Sequence, residues 1–113
     1  RLMAVVNQYK FAGLNANTDN TEKNPFGSSN PVVNETYLIK SIIVKSAGTP
    51  TPTVTNNGIV VIHSAALTAN ESKELLTQPL IVEGGTTLTI KAGSADAFTF
   101  GVSYLNIKKE VTT

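Results

Sequence analysis

Apolar residues beyond Glu35 recur at every second position in short runs, and turn-forming residues separate the runs. That period belongs to a pleated strand with one face turned to a core, because successive side chains leave a strand on opposite sides. "AFTFGVSYLNIKK" shows the cleanest alternation, with Phe98, Phe100, Val102 and Tyr104 on one face and Thr99, Gly101 and Ser103 on the other. "TLTIKAG" repeats it, Leu88 and Ile90 alternating with Thr87, Thr89 and Lys91. "TYLIKSIIVK" is apolar on both faces, Leu38, Ile42 and Val44 against Tyr37, Ile39 and Ile43, which predicts a central strand covered on both sides.

The breaks are as informative as the runs. Pro50 and Pro52 cannot donate ladder hydrogen bonds and end the central strand. Asn56, Asn57 and Gly58 stand between two β-rich runs, and an Asn-Gly pair tolerates the positive φ of a tight hairpin. "EGGT" at 83–86 is a turn. "ALTANESKELLTQPLIV" admits two readings: Thr68 with Glu71 fits a helix capping box, whereas "KELLTQPLIV" reads as a strand entered through a turn. The strand is preferred, since Pro79 would stop a helix there.

Residues 1–33 differ from the rest. A short apolar opening, "LMAVV" with Tyr9 and Phe11 after it, leads into "LNANTDNTEKNPFGSSNP", whose residues favour turns. This predicts an N-terminal arm and a long polar loop over 1–33, followed by a sandwich domain over 34–113. The alternative for the opening, an edge strand of the same sandwich, stays open. The fold class is all-β: an antiparallel β-sandwich, jelly-roll or immunoglobulin-like, with an extended arm.

Composition agrees with one such domain. Of 113 residues 41% are hydrophobic but only 15% charged, so the loops are polar without being strongly charged. A net charge of +1 offers no concentrated basic patch for nucleic acid or an anionic membrane. Zero cysteines exclude disulfides and thiolate metal sites. No apolar run approaches the ~20 residues of a membrane span. The run Lys108, Lys109, Glu110 reads as a solvated strand end.

Candidate chemistry does not survive inspection. His63 is the only histidine, and its neighbour Ser64 points to the opposite face of a strand, so the pair reads as structural. "NANTDN", with Asp19 and Glu22 nearby, has the alternating oxygens of a calcium loop. It lacks the turn glycine, however, and places Phe26 where the bidentate glutamate belongs. Glu71 and Glu74 are too close in sequence to face each other across a cleft and read as solvated carboxylates. Gly84 and Gly85 lack the Lys-Ser/Thr of a phosphate loop. Tyr9, Phe11, Tyr37 and Tyr104 could stack on sugars; core packing is the plainer role. No catalytic residue, metal ligand or cofactor is expected.

The strand blocks "ETYLIKSIIVKS", "LLTQPLIVEGGTTLTIKAG" and "FTFGVSYLNIKKE" resemble, in order and wording, small β-sandwich structural proteins of tailed bacteriophage virions. The resemblance covers Glu35 to about Glu110. It implies a non-enzymatic virion protein: a capsid decoration, or cement, protein bound to the major capsid protein or another virion protein. It also implies a homo-oligomer, with a trimer suited to a quasi-threefold position. Leu2, Val5, Val6, Tyr9 and Phe11 are the candidate partner contacts, lying on the opening segment outside the resemblance. The competing readings are a tail, neck or fibre attachment, or a glycan-binding adhesin module. A hydrolase has nothing beyond scattered Ser, His and Asp to support it.

Overall fold

The computed structural model describes residues 2–27 and 30–112, with side chains placed for residues 7–27 and 30–109. Eight strands follow in order: β1 (Leu2–Asn17), β2 (Glu35–Ser46), β3 (Thr53–Asn56), β4 (Ile59–His63), β5 (Lys73–Glu74), β6 (Leu80–Glu83), β7 (Leu88–Lys91) and β8 (Phe98–Thr112). One sheet runs β1-β8-β2-β5, with β6 also pairing β2; the other runs β4-β3-β7. Every pairing is antiparallel. The architecture is the expected all-β sandwich.

The hairpin forms where the Asn-Gly pair requires it. Asn57 and Gly58 both take positive φ, 52° and 76°, the pattern of a type I′ turn whose twist matches its strands. The 65–82 segment contains no helix: Glu71 N–H bonds back to Thr68 O at 3.1 Å as a turn, and β5 and β6 follow.

Phe98, Phe100, Val102 and Tyr104 of β8 face inward against Val54, Leu88 and Ile90 of the second sheet, all of them buried. The faces of β2 depart from the expected alternation. Tyr37 and Ile39 are buried together with Ile42, Val44 and Ser46, because the register with β8 shifts between Ile39 and Ser41. The extra residue changes the phase of the strand and turns two half-patterns onto one face. Ile43 is left 47% exposed on the other, so β2 is fully covered on one side only.

On the outer edge of β2, between its pairing with β6 at Thr36–Ile39 and with β5 at Ile43–Val44, Glu74 supplies an acceptor. Its carboxylate accepts from Ile42 N–H at 2.7 Å and from the Ser41 hydroxyl. Glu74 is thus a structural acceptor on that edge rather than only the solvated carboxylate expected, while Glu71 is exposed.

The polar loop after β1 is tied down at three points. Phe26 is buried, packing edge-on against Tyr37 and Tyr104 at centroid distances of 4.9 and 4.8 Å. Lys23 bridges Ile90 on the outer edge of β7, and Asn20 Oδ1 accepts from Gly93 N–H at 3.0 Å.

The opening segment is a strand. β1 pairs with β8 without interruption from Leu2↔Thr112 to Leu14↔Phe100, so of the two readings the edge strand is the one the backbone adopts. Pairing of β2 with β8 stops at Glu35↔Lys108, and residues 2–5 and 109–112 continue past it as a two-stranded ribbon. The molecule measures 54 × 21 × 21 Å.

Candidate interaction face

The register of β1 on β8 decides which of its residues meet the core. Lys10, Ala12 and Leu14 lie opposite the inward-facing Tyr104, Val102 and Phe100, whereas Tyr9 and Phe11 lie opposite Leu105 and Ser103. Even positions therefore share the inner face and odd ones the outer. Ala12 packs partly against the core, while Tyr9 and Phe11 are 79% and 72% exposed. Core packing, expected for all four candidate aromatics, holds for Tyr37 and Tyr104 and fails for these two.

Phe11 does not simply project into water. A Cβ added to Gly101 would lie 2.7 Å from the Phe11 ring, so the ring covers the glycine on the neighbouring strand. Ile43 pairs with Gly101 from the other side. Phe11, Gly101 and Ile43 thus form an apolar step across β1, β8 and β2, bordered by Thr99, Ser103, Lys45 and Ser72 around an open groove of about 270 Å³. Tyr9 extends it beside Lys10 and Lys40. Leu2, Val5 and Val6, the other candidate contacts, belong to β1, and their side chains lie outside the described residues.

A second cluster holds the end of the sandwich beneath this face. Asn106 is buried opposite Tyr37, and its Nδ2 donates to Glu35 Oε2 at 3.0 Å. Glu35 Oε1 accepts from Val32 N–H at 3.1 Å. The Asn106 bond, ahead of the opposing burial and helped by the Val32 bond, holds the Glu35 carboxyl below its usual 4.5. Burial, followed by the Glu35 charge, pushes the Tyr37 phenol up to about 12.

A carboxyl whose folded value is depressed contributes stability above its unfolded value and loses it as pH falls through the folded one. Wild-type protein should therefore lose melting temperature below about pH 4.5, and Glu35→Gln should lose less over the same interval. Parallel acid titrations of thermal unfolding check this; equal slopes would remove Glu35 as a contributor.

Several of the residues weighed for chemistry make local hydrogen bonds and ion pairs. His63 Nδ1 lies 3.0 Å from Thr53 Oγ1 across the β3–β4 pair. The fold brings Lys73 Nζ within 3.3 Å of Ser64 Oγ, a pairing that spacing in sequence did not suggest. The Ser64 hydroxyl, however, donates to Ala65 O at 2.8 Å, so its proton points away from the amine that would have to remove it. Asp19 pairs with Lys23 at 3.0 Å, and Asn17 bonds both backbone groups of Asp19, so these oxygens do not converge on a cation. Among the described residues no group of three or more His, Cys, Asp or Glu could hold a metal. No protein-family model matches the chain, and no curated protein sequence matches it.

Proposed function

We propose that this chain is a non-enzymatic structural protein of a virion, a capsid decoration protein that binds the lattice of the major capsid protein and stabilises the head. It acts by burying surface, not by chemistry, and takes neither a cofactor nor nucleic acid. The resemblance to phage sandwich proteins supplies the setting. The observation that carries the contact is the exposure of Tyr9 and Phe11 beside Ile43 on a rigid sheet. Large aromatics held on a strand lose little side-chain entropy on docking, and such anchors dominate interface energies.

A cement protein must span a seam between subunits, and a body 54 Å long with a flat aromatic step suits that task. The test is cryo-electron microscopy of purified phage-like particles mixed with wild-type protein or with a Tyr9→Ala/Phe11→Ala double variant. Truncating the opening segment would be a poor test, because it removes a strand of the sheet. Both side chains are exposed, so the double variant should keep its stability to within about 1 kcal/mol. Ordered density over seams with wild type and its loss with the variant supports the proposal; equal density with both overturns the aromatic contact.

Gly101→Ala offers a finer probe. The new methyl must displace the Phe11 ring, which is the far end of a flexible side chain, so stability should fall by about 1 kcal/mol or less. Particle occupancy should fall much further than stability. Occupancy equal to wild type would show that the position of the ring does not matter.

The same exposed aromatics, bordered by hydroxyls and lysines, favour a second reading as a glycan-binding adhesin module or tail, neck or fibre attachment. Signal on a glycan array that disappears with the double variant would select it over the capsid.

A further inference from the structure

We propose that two copies of this chain pair edge to edge through β1, joining their five-stranded sheets into one continuous sheet about a twofold axis. An edge strand presents unpaired N–H and C=O groups, and natural proteins block such edges with short strands, charges, bulges or cover. Three edges here are blocked in those ways. β5 has two residues, Lys73 and Glu74, both charged and exposed. β7 is covered by the Lys23 bridge. β4 has five residues and its pairing with β3 is interrupted by a register shift.

β1 has little of this protection: one lysine, and a register shift only beyond Leu14. Its pairing with β8 is regular from Leu2 to Leu14, and no strand lies on its other side among the described residues. Lys10 is the only charged residue in the whole strand, which contains no proline. Thirteen such residues would present an edge of about 40 Å.

The order of residues along β1 points to a second copy as the occupant. Antiparallel pairing centred on Gln8 places Leu2 opposite Leu14, Ala4 opposite Ala12, Val5 opposite Phe11 and Val6 opposite Lys10. The one charge meets an apolar residue, and the two Lys10 residues stand four positions apart, so no like charges oppose each other. Each copy contributes the same strand, which makes the contact isologous and closed at two copies, in place of the trimer implied by the resemblance. The twofold runs perpendicular to the sheet, so Tyr9 and Phe11 of both copies fall on one face. The pairing stands independently of whether that face meets a capsid.

The chain contains no cysteine, which allows a direct test. Gln8→Cys places two thiols opposite each other at the twofold, at a Cα separation that a disulfide can span. The expected result is a dimer of wild-type protein by sedimentation velocity, and an intermolecular disulfide in mildly oxidised Gln8→Cys but not in His63→Cys. Gln8→Lys and Gln8→Glu, each exposed, should weaken the dimer about five-fold when alone and restore it when mixed. A monomer at the highest soluble concentration overturns the proposal, as does a disulfide in His63→Cys with none in Gln8→Cys.

Discussion

Ile42→Ala is expected to lower the unfolding free energy by about 2–5 kcal/mol, while Ile43→Ala, one residue further, costs about 1 kcal/mol or less. Ile42 is fully buried and Ile43 is 47% exposed. The comparison is sharp because a strand without a bulge, in phase with the buried Ile39, would bury Ile43 and expose Ile42. Equilibrium urea unfolding of the two variants measures the order. A larger cost at Ile43 would mean that β2 has no bulge.

Gly84→Ala should destabilise by about 3 kcal/mol or more, through crowding alone. The turn after β6 lies directly under the turn that enters β2, and Gly85 N–H bonds to Pro31 O at 2.9 Å across them. A Cβ at Gly84 would sit 2.3 Å from Val32 O and 2.9 Å from both Val33 O and Glu35 O, all backbone atoms that no rotamer change can move. Gly27→Ala is the control: it has positive φ but open space around it, so it should cost only about 1 kcal/mol. Thermal unfolding reads the difference as roughly 10–20 °C for Gly84→Ala. An unchanged midpoint would show that the two turns are not in contact.

Period-two alternation and turn chemistry made most of the sandwich legible. Leu88 with Ile90, the Phe98-to-Tyr104 face and the Asn57-Gly58 hairpin are local patterns, and the structure follows them. The phase change in β2 was not legible, because "SIIV" offers apolar residues in both phases and the choice between them lies in the register with β8, remote in sequence. Phe26 was hidden for a related reason. One aromatic between Pro25 and Gly27 has no period, and its partners Tyr37 and Tyr104 are remote in sequence.

The interaction face was half visible. Tyr9 and Phe11 share a side of a strand, which the sequence shows, but only the partner strand says which side is outside. Pairing with β8 puts small Ala12 under cover and leaves the rings in solvent, an outcome that depends on a register spanning almost the whole chain.

That register also sets the order of events on the ribosome. Among the eight described strands β1 is made before the others and its partner β8 after them, so β1 waits for a partner until β8 emerges. At ~5–20 residues per second this wait lasts for several seconds, long enough for nascent chains on neighbouring ribosomes to meet through the same strand. The protein should therefore depend on holding chaperones, or on a low density of ribosomes, more than its size suggests.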